Sequence, residues 1–283
     1  MDNPRPVTLI TGASAGIGVE LARTFARNDH ALVLVARREA ELSALANEIA
    51  ASGKPRPIVL PLDLTQTDAS ARIREAFATH GVEPEFVVNN AGFGLVGPAA
   101  ELDRTRQLAM VDLNVRALTD LSLAFTDALI RRRGGLMNVA SIAGFMPGPG
   151  MAVYYASKAY VLSFTEALHQ ELAPRGVRVT ALCPGPVPTE FQAHAGITED
   201  HFPQFLARSA GRVAEDGYRG LMRGKRVVIP GTTNRAAALL PRFLPRALGS
   251  RPKLEPLGLG HLLAQAKTAA HRGTRPRVSG FAR

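Results

Sequence analysis

Short apolar runs alternate with segments of helical periodicity along most of this chain. Val7-Thr8-Leu9-Ile10 is apolar and β-branched and stops at a glycine turn, which predicts a strand buried on both faces. From Ile17 the apolar residues Ile17, Leu21, Phe25 and Ala26 recur at helical spacing. Ala31 to Val35 predicts a second strand, and residues 39 to 51, rich in Ala, Leu and Glu, a second helix. Ile58 to Leu62 reads as a third strand ending at Asp63, residues 68 to 79 as a helix, and Phe86 to Asn89 as a fourth strand. One long helix is predicted from about Asp103 to Arg132. Arg131, Arg132 and Arg133 lie near its C-terminal end, where cations suit the helix dipole, and Gly134-Gly135 ends it. A fifth strand follows at Leu136 to Ala140, then a long helix at Tyr154 to Leu172. Val177 to Leu182 predicts a sixth strand and Lys225 to Ile229 a seventh. Strands alternating with helices imply an α/β fold: a doubly wound parallel sheet of about seven strands with helices on both faces.

Neither an internal repeat nor a linker interrupts the chain before residue 230. The expected organisation is one folded domain over 1–235. A basic extension over 236–283, partly helical or disordered, follows it. Composition agrees with a globular body, since 46% of the 283 residues are hydrophobic and 20% charged. Nowhere does an apolar stretch approach the roughly 18 residues that span a bilayer, and no secretory signal is visible. Cys183 is the only cysteine, so no internal disulfide forms, and a cytoplasmic location is expected. The net charge of +10 is unevenly placed: residues 219 to 283 hold 14 Lys and Arg against one acid, Glu255. That excess bears on the C-terminal segment and says little about the partners of the main body.

The first strand runs into Thr11-Gly12-Ala13-Ser14-Ala15-Gly16-Ile17-Gly18 and then into a helix. Strand, glycine-rich turn and helix place a pyrophosphate at a helix N-terminus. Gly12 permits the turn, Gly16 clears a side chain from the path of a phosphate, and Gly18 lets the helix approach the sheet. Ser14, Ala15 and Ile17 complete the loop. An acid at the end of the second strand would bind a ribose 2′-hydroxyl and repel a 2′-phosphate. This chain has Ala36-Arg37-Arg38 instead, which favours NADP over NAD, with Arg37 the first clamp and Arg38 the second.

Thr11-Gly-x-x-x-Gly16-Ile17-Gly18 resembles the cofactor signature of the short-chain dehydrogenase/reductase family in its single-domain branch. Asn89-Asn90-Ala91-Gly92 resembles that family's segment after the fourth strand, and Pro184-Gly185-Pro186-Val187-Pro188-Thr189 its segment after the sixth. The resemblance implies a Rossmann-type fold. It also implies that Asp63 and Leu64 border the adenine and that Asn90, Ala91 and Gly92 line the cofactor. Pro184, Gly185, Val187 and Thr189 would lie beside the nicotinamide.

Tyr154 and Lys158 are four apart on a predicted helix and share one face. A carbonyl that receives hydride needs a proton, and a free tyrosine with a pKa of about 10 is a poor base at neutral pH. A nearby ammonium is expected to lower that pKa. Ser141 follows the fifth strand and lies where a hydroxyl polarises a substrate oxygen. These positions match the family's Asn-Ser-Tyr-Lys tetrad. The match implies Tyr154 as acid/base, Ser141 as stabiliser, Lys158 as ribose ligand and pKa modulator, and Asn114 as part of a water relay. Spacing alone leaves Tyr155 as a rival to Tyr154. The family's Tyr-x-x-x-Lys pattern selects Tyr154 and makes Tyr155 a packing or pocket residue.

Phe93, Ile142, Phe145, Met146, Met151 and Val153 are the expected pocket walls, with Phe191, Phe202 and Phe205 on a flap. Such walls suit a lipophilic small-molecule carbonyl or alcohol: a 3-oxoacyl group, a steroid-like ketone or a xenobiotic ketone. The basic segment Leu239 to Leu248 suits a peripheral contact with the inner face of a membrane, or with an acidic carrier protein. No nucleic-acid recognition module is visible, and the seven histidines show no metal-ligand spacing. The resemblance further implies a homodimer or homotetramer built on the helices near 105–132 and 155–172. The alternative function is a non-catalytic dinucleotide-sensing protein tethered through its basic tail.

Overall fold

The computed structural model describes residues 4–195 and 204–239. Seven parallel strands form one sheet in the order β3-β2-β1-β4-β5-β6-β7. They are β1 (Arg5–Thr11), β2 (Leu32–Ala36), β3 (Ile58–Pro61), β4 (Val82–Asn89), β5 (Gly135–Val139), β6 (Arg178–Leu182) and β7 (Val227–Val228). Around them lie α1 (Gly16–Arg27), α2 (Glu39–Ala51), α3 (Ala69–His80), α4 (Arg104–Val111), α5 (Leu118–Ala124), α6 (Thr126–Arg132), α7 (Ala152–Leu172), α8 (Glu190–Ala195), α9 (Ala210–Met222) and α10 (Thr232–Leu239). The expected Rossmann-type sheet is therefore present, strand for strand.

Neighbouring residues of each central strand bury themselves on opposite faces. Ile10, Leu34, Val88 and Met137 pack with Leu21 and Phe25 of α1 and Val213 and Leu221 of α9. Leu9, Val33, Val87 and Leu136 pack with Ile73 of α3, Leu121 of α5, Leu129 of α6 and Leu168 of α7. This double burial is why the strands read as unbroken apolar runs. The chain reverses direction across the sheet between β1 and β4. A crevice opens there at the carboxyl ends of the strands, the usual ligand position in such folds.

Two departures matter for function. The helix expected over 103–132 is four pieces: α4, a π-helical turn at Asp112–Ala117, α5 and α6, the last two meeting at Phe125. In addition, α9 and α10 extend the body beyond the last expected helix, and α10 runs across the 235/236 boundary. Asn234 and Ala238 on it are fully buried. By its contacts the chain divides into Met1–Ser250 and Arg251–Arg283. The basic stretch Leu240 to Leu248 and everything after it lie outside the described residues, as does Phe202. Among the described residues no helix is long and apolar enough to cross a membrane, and no His, Cys, Asp and Glu cluster offers a metal site.

Candidate active site

A cavity of about 870 Å³ opens above the strand ends. Its two ends differ in construction.

At one end β1 turns into α1. Gly12 and Gly16 adopt φ of +66° and +55°, in the left-handed region that glycine tolerates. A Cβ on Gly18 would stand 2.1 Å from the Gly12 carbonyl oxygen, so α1 sits as close to the turn as backbone permits. The N-cap is Ala15, which has no side-chain hydrogen bond to give α1. Ala15, Gly16 and Ile17 line the cavity, so the uncapped first turn of the helix borders it. These features fit a pyrophosphate: backbone N–H groups at a helix start, with the obstructing side chains removed.

Thr11 ties this loop to the next one. Its Oγ1 accepts from the N–H groups of Asn90 (3.0 Å) and Ala91 (3.1 Å), while Asn90 Nδ2 donates to Thr11 O (2.9 Å). Asn89 lies behind them, fully buried, and donates to Ser122 Oγ and Asn138 Oδ1. Asn138 in turn donates to Thr165 Oγ1 on α7. The Asn-Asn-Ala-Gly segment thus divides its work: Asn89 bonds the sheet to α5 and α7, and Asn90, Ala91 and Gly92 face the cavity.

Arg37 and Arg38 both reach the cavity wall, near Asp63 and Leu64. Arg38 donates to Ser14 O (2.9 Å) and Ser14 Oγ (3.3 Å) and pairs with Glu41 and Glu190. Arg37 is exposed. Arg38 is thus tied to the phosphate loop and to two carboxylates, while Arg37 stands exposed at the same wall. Asp63 Oδ1 accepts from Thr65 N and Oγ1, an Asx turn that holds the loop after β3.

The other end holds the titratable groups. Ser141 follows β5, and its Oγ accepts from Ala143 N (3.1 Å) and donates to Pro184 O (3.4 Å), joining β5's loop to the segment after β6. Tyr154 and Lys158 lie on α7, with Lys158 Nζ 5.9 Å from the Tyr154 ring centre. Lys158 is buried and donates to Val139 O (2.8 Å). Burial pushes the Tyr154 phenol up to about 12, against a smaller downward pull from the Ser141 hydroxyl. Burial also pulls the Lys158 ammonium down to about 8. The expected lowering of the tyrosine by the lysine does not appear in this state: desolvation dominates and drives both groups toward their neutral forms.

Asn114 and Gly18 do not line the cavity. Asn114 is fully buried in the π-helical turn. Its Oδ1 accepts from Phe93 N (3.1 Å), and its Nδ2 donates to Phe93 O (2.9 Å) and Ser157 Oγ (3.1 Å). Ser157 donates to Tyr154 O. Asn114 therefore braces the backbone on either side of the tyrosine. Sequence reading did not single out Ser157 or Thr11, although each lies inside a quoted motif.

Among the expected walls, Phe93, Ile142, Met146, Met151 and Phe191 line the cavity, whereas Phe145, Val153 and Phe205 do not. Phe145 packs instead beside Leu118, Val161 and Cys183, and Phe205 is 60% exposed. Tyr155 is both a wall and a packing residue, its ring filling the space over Gly148. Leu206 and Ala237 are wall residues that sequence reading missed.

A parallel sheet with a helix-start phosphate site beside a Ser, Tyr and Lys group defines a nucleotide-dependent oxidoreductase. The profile of the short chain dehydrogenase family matches residues 6–200. The chain belongs to the short-chain dehydrogenase/reductase family, whose members act on alcohol and carbonyl groups. It is 37% identical over 188 residues to sulfoacetaldehyde reductase 2 of Chromohalobacter salexigens, covering 65% of this chain and 74% of that one. Among solved structures it is similar to a short-chain dehydrogenase from Sphingobium yanoikuyae in complex with NADPH. That match has a TM-score of 0.74 and 28% identity, over 97% and 98% of the two chains. The bulky-bulky ketone specific alcohol dehydrogenase of Comamonas testosteroni matches with a TM-score of 0.68 and 27% identity, over 99% and 98%.

Proposed function

We propose that this protein is an NADP(H)-dependent reductase or dehydrogenase of a lipophilic ketone and its secondary alcohol, with Tyr154 as acid/base. The observation that carries the reading is a single cavity with a phosphate loop and two arginines at one end and the Ser141, Tyr154 and Lys158 group at the other. When bound, the nicotinamide supplies or accepts the hydride. The chain's own residues do the rest. Tyr154, held protonated by burial, donates its proton to the carbonyl oxygen during reduction. Ser141 Oγ orients that oxygen. Lys158, charged below about pH 8, stabilises the phenolate left behind and binds ribose. Asn114 and Ser157 position the tyrosine through the backbone contacts given above.

Ala36 leaves room beside the ribose, and Arg37 and Arg38 supply the cations a 2′-phosphate needs. An NADPH complex of a relative that spans nearly the whole chain supports this preference. Apolar walls at Ile142, Met146, Met151 and Phe191 support a lipophilic substrate. A sensor without chemistry would need only the phosphate end, so the Ser141, Tyr154 and Lys158 group favours turnover. Leu108, Leu123 and Tyr160 on α4, α5 and α7 are exposed, which supports self-association through those helices.

The test is fluorescence titration with NADPH and NADH, followed by NADPH oxidation with a ketone panel. A strong NADPH preference with ketone-dependent oxidation is the expected result. An NADH preference would overturn the cofactor assignment, and binding of neither would remove the enzymatic reading.

A further inference from the structure

Part of the cavity wall is supplied by chain beyond residue 203. Leu206 contributes from the 3-10 turn Gln204–Leu206, and Ala237 from α10. α10 packs on the 3-10 turn Ile142–Phe145, which directly follows Ser141, so Ala237 belongs to the reaction end. Large side chains wall part of that end. Met146, Met151 and Phe191 line it, and the Phe191 ring lies 5.7 Å from that of Tyr154. Small side chains line the cavity as well, Ala143 and Gly185 among them, and Ala237 is the one that α10 contributes.

The helix that carries it is held in place. Asn234, one turn before Ala237, is fully buried. Its Nδ2 donates to Leu206 O (3.1 Å) and Pro230 O (3.0 Å), which sets the orientation of the amide. The amide oxygen then lies against Gly185, where an added Cβ would be 2.4 Å from Oδ1. Arg208 N donates to Pro186 O (3.1 Å) from the same stretch of chain. α10 is therefore keyed to the Pro184–Thr189 segment through a glycine that has no spare space. A wall anchored in this way does not retreat from a larger side chain, so the residue at 237 sets chamber volume directly.

We propose that Ala237 is a specificity-determining residue. It leaves the space that admits an apolar ketone substituent longer than methyl, and Asn234 is the positioning residue that holds it there. This rests on the oxidoreductase reading above. The favoured substrates are ketones with at least one apolar group longer than methyl.

The experiment compares wild type and Ala237→Leu, as full chains, in NADPH-dependent reduction of 2-butanone and of 1-phenyl-1-pentanone, with NADPH affinity measured in parallel. Ala237→Leu should lower kcat/KM for the phenyl ketone by about 10- to 100-fold, leaving the small ketone and NADPH affinity nearly unchanged. Equal losses on both ketones, or no loss on the larger, would overturn the proposal. Should the leucine variant fold poorly, Ala237→Val asks the same question with less added volume, and an unchanged ratio between the ketones would overturn it equally. A wild type that binds NADPH yet turns over neither ketone nor the matching alcohols would instead bring down the underlying reading. Asn234→Ala should loosen the wall, so Ala237→Leu should cost less in that background than alone. Strictly additive losses would remove Asn234 from the proposal.

Discussion

The two ends of the cavity achieve opposite electrostatic conditions with the same backbone. At the phosphate end, side chains are deleted and charge is left in contact with solvent: three glycines, an uncapped helix start and two partly exposed arginines. At the reaction end Lys158 is buried and Tyr154 half-buried, and desolvation shifts both toward neutrality. Binding strength at the first end should therefore respond to ionic strength. Chemistry at the second should respond to proton concentration.

Tyr154→Phe separates the ends most sharply. Turnover should fall by about 10³-fold while NADPH affinity stays nearly intact, because the ring remains and only the proton is lost. Appreciable residual turnover in rapid-mixing assays would exclude Tyr154 as the main acid/base. Gly18→Ala comes next. Its Cβ meets the Gly12 carbonyl oxygen at 2.1 Å, so α1 must shift, at a cost of about 2–3 kcal/mol. Denaturant unfolding together with NADPH titration should show both stability and affinity reduced.

Arg37→Ala and Arg38→Ala should each weaken NADPH by about 10-fold with little effect on NADH, and the difference should shrink in high salt. Equal losses for the two nucleotides would break the assignment of a 2′-phosphate to this end. Lys158→Met has the smallest expected effect on stability. The lysine titrates near 8 when folded and near 10.5 otherwise, so between those pH values the unfolded chain holds more protons. Wild type should therefore gain about 2 kcal/mol relative to Lys158→Met as pH rises from 8 to 10.5. Unfolding midpoints measured across that window check the sign.

The strands and the phosphate loop were legible because each carries a local signature: apolar runs buried on both faces, and glycines at fixed spacing. β4 begins earlier than its apolar core suggests, since Glu83, Pro84 and Glu85 disguise its first residues around a register shift opposite Val7 and Thr8. α9 escaped notice because Gly217 and Gly220 lower its helical character. Those glycines let the helix approach Leu182 and Val228. In the site, motif order and family resemblance pointed to Ser141, Tyr154 and Lys158, which the fold brings to one cavity. Sequence reading was silent on the acceptor of Lys158, a backbone carbonyl on β5, and on Leu206 and Ala237, which arrive through tertiary folding. It was equally silent on the contacts of Arg38 with Ser14 and Glu190, because those partners come from distant segments.

The π-helical turn at Asp112–Ala117 sets the angular phase of everything around it. An α-helix advances about 100° per residue, so a wider turn rotates the faces before and after it out of step. Deleting one residue there would restore a regular helix and swing Asn114 away from Phe93 and Ser157, although no contacting side chain had been changed. The lateral chain of contacts behind Tyr154 is thus encoded as a count of residues as much as by their identities. A length change of one in this helix should cost more activity than most substitutions on its surface.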